Sequence, residues 1–135
     1  MQGGESKMTT PNQRASRKQE RRIERSLKQI AEETRRTMAS GALWFQKSDI
    51  VNNMFHIECK TKIKSCKQRI IEKEWLDKVS LEGFESGKIG VLAFSFGDNK
   101  DYVAMDWDDF ITIVEELNEL RKKVKEYEEG ADDKC

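Results

Sequence analysis

Asp49 stands nine residues ahead of the tripeptide Glu58-Cys59-Lys60, with Asn52-Asn53 between them. Two carboxylates and an ammonium at one spot suit a particular chemistry. Oxygen donors hold a hard divalent cation, which activates water and steadies charge on a phosphate. An adjacent lysine can orient the water and stabilise the transition state. That combination points to metal-dependent phosphodiester hydrolysis. The same residue types also make an ordinary solvated hairpin face, with Glu58 and Lys60 as an exposed pair.

Whether the groups meet depends on the turn. Asn tolerates the left-handed backbone of short hairpin turns, so Asn52-Asn53 is the expected two-residue loop. Val51 would then oppose Met54, Ile50 oppose Phe55, and Asp49 oppose His56. Side chains alternate along a strand, so Asp49, His56, Glu58 and Lys60 would share one face. Ile50, Phe55, Ile57 and Cys59 would form an apolar face. A loop one residue longer or shorter would break this parity.

The basic helix expected from Ser16 to about Arg36 carries Ile23, Leu27, Ile30 and Ala31 on one side, with Glu24 close to that stripe. Glu24 also has the spacing to pair with Lys28. Thr37 to Lys47 reads as a loop and strand entrance, with Trp44 to Lys47 either a third meander strand or the start of the Asp49 strand. Trp44 and Phe45 fit either the core or a stacking surface. Lys62, Lys64 and Lys67 follow the Glu-Cys-Lys strand. A second helix, from about Cys66 to Ser86, has Ile70, Ile71, Trp75, Val79 and Phe84 as apolar positions. Ile89 to Phe96 is a nearly continuous apolar strand, Gly97-Asp98-Asn99-Lys100 a turn, and Tyr102 to Met105 the return. Asp106 or Asp108 suits the cap of the last helix. Phe110, Ile113, Leu117, Leu120, Val124 and Tyr127 on that helix are spaced three, four, three, four, three, a seam for its own domain or a second subunit.

The residues Lys47-Ser48-Asp49 and Ile57-Glu58-Cys59-Lys60-Thr61, preceded by Glu24 and Ala39-Ser40-Gly41-Ala42, resemble the core of the PD-(D/E)XK nuclease superfamily. Within it the order of pieces is most similar to the Holliday junction resolvase-like proteins of archaea and phages, over roughly residues 20 to 110. Ser48 departs from the Pro of the superfamily's name, and Glu20, Glu32 and Glu33 lie near the matched helical Glu. The resemblance implies an α/β, restriction-endonuclease-like core, a small mixed β-sheet flanked by helices. It implies a Mg²⁺-dependent endonuclease cleaving Holliday junctions or other branched DNA, with Mn²⁺ able to substitute and Ca²⁺ supporting binding without turnover. Asp49 and Glu58 would bind metal, Lys60 would position the nucleophile and Glu24 would assist. A polar residue of the second helix would stand near the site, with Gln68, Lys73 and Glu74 as candidates. Arg21, Arg25, Arg36, Ser40, Lys47, Lys62, Lys64 and Lys67 are the expected DNA contacts. Rival readings are a same-fold nuclease for linear or single-stranded DNA, and a non-catalytic DNA-binding or virion structural module.

Composition agrees with a nucleic-acid partner. The net charge of zero conceals ten Lys/Arg against five acids in residues 1–39, nine against seven in 40–96, and six against thirteen in 97–135. A basic front can neutralise phosphates that an acidic rear would repel. The 135 residues suit one nuclease domain over 15–129, between a disordered basic tail at 1–14 and a flexible tail at 130–135. No segment reads as a membrane span, and no organic cofactor is expected. Cys59, Cys66 and Cys135 read as reduced thiols of a cytoplasm, the host's if the source is viral. A homodimer is the expected assembly, because a four-way junction is two-fold symmetric.

Overall fold

A computed structural model describes residues 9–37 and 49–133. The elements in order are α1 (Pro11–Lys28), β1 (Arg35–Arg36), β2 (Ile50–Val51), β3 (Phe55–Lys60), α2 (Lys73–Glu85), β4 (Ile89–Ser95), β5 (Asp101–Ala104) and α3 (Trp107–Asp133). Two compact units result, Met1–Met105 and Asp106–Cys135.

In the first unit the strands form one mixed sheet in the order β1-β2-β3-β4-β5. Only β3 and β4 run parallel, joined through α2, and the other neighbours are antiparallel. This is the expected α/β sheet with one difference. The third strand of the meander is Arg35–Arg36, which pairs with β2. The Trp44 to Lys47 alternative lies outside the described residues, as does most of the tail expected at 1–14.

Helix α1 starts earlier and ends sooner than its apolar pattern suggests. Thr10 is the N-cap: its hydroxyl accepts from the Gln13 amide, the Gln13 side chain accepts from the Thr10 amide, and Pro11 opens the first turn. That reciprocal pair satisfies two amides the helix cannot, and Pro needs no partner there. At the other end, Ile30 and Ala31 amides turn back onto the Leu27 carbonyl, and Ile30 is 85 % exposed. Ile23 and Leu27 therefore carry the packing, without Ile30.

The odd-numbered face of β4 and its neighbours is covered by α1. Ile23 packs with Ile50, Ile57, Cys59, Val91 and Ala93, and Leu27, Phe55, Ile89 and Met105 close around them. The opposite face takes α2. Val79 is buried there, and a Cβ at Gly90 would run into the Val79 carbonyl, so glycine permits helix and strand to touch. The second helix begins at Lys73 rather than near Cys66, and Ile70 and Phe84 are 80 % exposed instead of packed.

Residues 61–72 form a loop, pinned along its length. The Cys66 amide donates to the Phe96 carbonyl at 2.9 Å, and Arg69 Nη1 donates to the carbonyls of Ser95 at 2.6 Å and Lys60 at 3.2 Å. Gly97, at φ +86°, lies where a side chain would strike the Lys64 carbonyl. The turn then passes through Asn99 at φ +65° into β5.

In the second unit, Asp106 caps α3 as expected, its Oδ1 accepting from the amides of Asp108 at 2.8 Å and Asp109 at 3.3 Å. No helix among the described residues is long and apolar enough to cross a membrane.

Candidate active site

The β2–β3 hairpin differs from the tight two-residue loop. Ile50 pairs with Ile57 and Val51 with His56, two residues out of the expected register. An even shift preserves parity, so Asp49, His56, Glu58 and Lys60 still share a face. Continuing the register by one residue brings Asp49 opposite Glu58 instead of His56. Asn52 and Asn53 do not adopt the left-handed backbone; among the described non-glycine residues only Asn99 does. Instead, the buried Asn52 side chain organises the turn. Its Oδ1 accepts from the amides of Met54 at 2.9 Å and Phe55 at 2.8 Å, and its Nδ2 donates to Thr34 Oγ1 at 3.2 Å.

Asp49 is held at the mouth of this hairpin. Its amide donates to the Ile57 carbonyl at 2.9 Å, and its Oδ2 accepts the Cys59 amide at 2.8 Å. Burial raises its pKa, against which the Cys59 amide and then the positive charges of Lys60 and Lys78 act. Burial, and then the Asp49 charge, push Glu58 up to about 7. Lys60 Nζ lies 3.7 Å from Glu58 Oε2 and 4.6 Å above the Trp75 ring, so a carboxylate and an aromatic face both restrain the ammonium. Cys59 is a buried core thiol, as expected, and burial pushes its pKa up.

The helical acids sort differently from the sequence-based assignment. Glu24 is tied to Arg36, at 3.3 Å to Nε, and to Lys28 at 3.7 Å; it also accepts the Arg36 amide at 3.2 Å. Glu20, one turn earlier, is the α1 acid on which the Asp49 charge acts. Burial and then the Asp49 charge raise it to about 7, while Arg36 and Arg17 act in the other direction. Helix α2 contributes Trp75, Lys78 and Glu82 on one stripe, three and four residues apart. Lys78 and Glu82 both act on the charges of Asp49 and Glu58. Of the three candidates from this region, Lys73 pairs with Asp77 at 2.7 Å on the surface, and Gln68 and Glu74 are exposed. The spacing of Trp75, Lys78 and Glu82 was visible in the sequence, but a helix started at Cys66 gave it no special place.

Arg21 and Arg25 are exposed on α1, and Lys62, Lys64 and Lys67 are exposed on the pinned loop beside the C-terminal end of β3. Arg36 is exposed but engaged by Glu24. Ser40 and Lys47 lie outside the described residues. Phe94, the β4 neighbour of Lys60, stacks on Tyr102 with centroids 5.7 Å apart, and Phe96 meets both rings edge-on. Lys100 Nζ is 5.4 Å from the Tyr102 ring.

Asp49 and Glu58 are hard oxygen donors, the Asp49 charge raises the proton affinity of Glu58, and a divalent cation between them would relieve that repulsion. Among the described residues no group of three or more His, Cys, Asp or Glu side chains is disposed to hold a metal ion. A carboxylate pair such as Asp49 and Glu58 fits a cation that retains water and takes a phosphate oxygen.

A family model described as "Phage putative PDDEXK endonuclease" matches residues 16–134. No curated protein and no solved structure matches the chain. The matched span takes in α1 from Ser16 onward, the whole sheet, the Asp49/Glu58/Lys60 hairpin and α3: the chain belongs to this phage family of PD-(D/E)XK endonucleases.

Proposed function

We propose that the protein is a Mg²⁺-dependent endonuclease that hydrolyses a phosphodiester in branched DNA, Holliday junctions foremost, with Mn²⁺ able to replace Mg²⁺. The observation that carries the reading is the half-buried pair Asp49 and Glu58 with Lys60 Nζ 3.7 Å from Glu58. Asp49 and Glu58 hold the cation. When bound, Mg²⁺ supplies an acidified water and charge neutralisation at the phosphate.

Lys60 does the rest of the electrostatic work. Restrained by Glu58 and Trp75, its ammonium orients the attacking water and meets negative charge developing on the phosphate. Glu20 takes the assisting role assigned to Glu24 in the sequence, because of these two acids of α1 it is Glu20 that feels the Asp49 charge. Arg21, Arg25, Arg36, Lys62, Lys64 and Lys67 neutralise flanking phosphates, and Ser40 and Lys47 retain that role on sequence grounds. Two subunits would present paired sites to a two-fold symmetric junction.

A second reading, a nuclease for single-stranded or flap DNA, is favoured by the rings of Phe94, Phe96 and Tyr102 beside Lys60. Aromatic side chains near lysines are a general means of gripping unpaired bases.

The test is cleavage of matched junction, fork, flap and linear substrates with Mg²⁺, comparing the natural protein with Glu58→Gln. Junction cleavage lost in the variant and in chelator is the expected result. Equal cleavage by Glu58→Gln would remove the carboxylate pair from the chemistry. Preference for flaps or single strands would replace the junction by the second reading.

A further inference from the structure

The two-subunit reading above requires a surface for the second copy, and the inference drawn here rests on that reading. From α3 we infer that two copies of the chain associate through a parallel two-stranded coiled coil.

The seam is apolar and open. Phe110, Leu117 and Val124 occupy the a positions of a heptad, and Ile113, Leu120 and Tyr127 the d positions. All but the half-buried Ile113 are between 42 % and 79 % exposed. A stripe of that length on a 27-residue helix is more apolar surface than a lone helix leaves in water without a partner. Leu120, Arg121, Val124 and Glu128 line a groove along it, the sort of hollow a partner's side chain fills in knobs-into-holes packing.

Flanking charges choose the partner and its direction. Glu116 and Lys123 are at g, Arg121 and Glu128 at e. In a parallel pair each g residue faces the e residue five positions further along the partner. Glu116 then meets Arg121 and Lys123 meets Glu128, two attractive contacts per helix and four per dimer. The remaining pair, Asp109 with Val114, is neutral. An antiparallel pair centred on Leu117 and Leu120 sets Glu116 against Glu116 and Arg121 against Arg121. Its attractive contact is Lys123 with Asp109, so identical helices complement one another better in the parallel direction, where no like charges meet. Among the described residues none of these four charged side chains has an ion pair within the chain, whereas Lys122 and Glu119, on the far side of the helix, are 3.8 Å apart.

The seam spans six a and d positions, so association should depend on concentration. In sedimentation equilibrium of the full chain, the apparent mass should rise with concentration from 15.7 kDa towards twice that value. Glu116→Arg with Lys123→Glu sets like charges opposite Arg121 and Glu128, and should weaken association at least tenfold. Adding Arg121→Glu and Glu128→Arg should restore it, which loss of helix could not explain. For direction, Val124→Cys in a chain whose Cys66 and Cys135 are replaced by Ser should cross-link to itself on oxidation, because a positions coincide only in a parallel pair. A chain monomeric at every concentration would overturn both the coil and the two-subunit reading. A dimer insensitive to the charge reversals, or one cross-linked only between Phe110→Cys and Tyr127→Cys copies, would overturn the parallel coil alone. Loss of the nuclease reading by the Glu58→Gln test leaves the mass measurement unaffected, so the two failures are distinguishable.

Discussion

Asp49, just ahead of β2, continues its register to a position opposite Glu58 of β3, and the Cys59 amide, one residue on from Glu58, donates to Asp49 Oδ2 at 2.8 Å. One carboxylate is thereby oriented by the backbone that carries the other. This local dependence makes the pair a unit.

Asp49→Asn and Glu58→Gln should each abolish Mg²⁺-stimulated DNA cleavage, since each removes half of the donor pair. Lys60→Ala should lower kcat by about 10²–10³-fold, the usual cost of losing an electrostatic stabiliser of the transition state. Cleavage rates under saturating Mg²⁺, with binding of catalytically inert DNA measured alongside, check this. A Lys60→Ala variant impaired in binding alone would assign the lysine to substrate grip.

Glu20→Gln and Glu24→Gln should behave differently. Glu24 is engaged by Arg36 and Lys28, so its loss should cost about 1 kcal/mol of stability or less and leave turnover near the natural rate. Glu20 feels the Asp49 charge, so its replacement should reduce turnover and raise the Mg²⁺ concentration needed for half-maximal cleavage. Urea denaturation and a Mg²⁺ titration of activity separate the two, and equal activity losses would reject the assignment.

The raised acids give stability a definite pH slope. Glu20 and Glu58 titrate at about 7 when folded, against 4.5 ordinarily. Between those values the folded chain holds protons that the unfolded chain has released. Their stabilising contribution is complete below about pH 4.5 and is lost as pH rises through about 7. His56, lowered by burial, acts oppositely below its ordinary value of 6.5. The metal-free natural protein should therefore lose Tm between pH 5.5 and 8 relative to the Glu20→Gln/Glu58→Gln variant. Mg²⁺ should raise Tm more at pH 8 than at pH 5.5. Parallel Tm profiles for the two proteins would refute this.

Gly90→Ala should destabilise by about 1–3 kcal/mol, because the new methyl meets the Val79 backbone and α2 must move off the sheet. Since α2 carries Trp75 and Lys78, cleavage should fall as well. Urea midpoints and cleavage rates of the soluble variant provide the check.

Asn52→Ala should cost about 2–3 kcal/mol. It removes the acceptor for the Met54 and Phe55 amides and the donor to the buried Thr34 hydroxyl, at about 1 kcal/mol per net bond. If Asn52 served only as a permissive turn residue, Asn52→Gly would be nearly neutral, whereas the side-chain role predicts a loss close to that of alanine.

Alternation alone made the shared face of Asp49, His56, Glu58 and Lys60 legible, along with the apolar face of Ile50, Phe55, Ile57 and Cys59. A period of two survives any even shift in register, so the incorrect turn did no harm to the face assignment. The turn itself was misread because Asn52 acts through a side chain reaching Thr34, eighteen residues away in sequence. Periodicity also misplaced both ends of α1, where the Thr10–Gln13 capping pair outweighed the apolar stripe. Residues 61–72 stay a loop ahead of α2 because Arg69 and Cys66 find partners in the carbonyls of Ser95 and Phe96 at the end of β4.

From its residue order, then, this chain determines the Asp-Glu-Lys face, the apolar stripes and the charged helix seam, for each depends on neighbours a few positions apart. Which helical glutamate looks at Asp49 was a tertiary matter. Glu20 and Glu24 lie one turn apart on the same side of α1, and the docking of Ile23 onto Ile57 and Val91 decides which of them feels the Asp49 charge. Trp75 and Lys78 likewise approach Lys60 and Glu58 because Gly90 lets α2 settle against the sheet, a contact that no short-range pattern encodes.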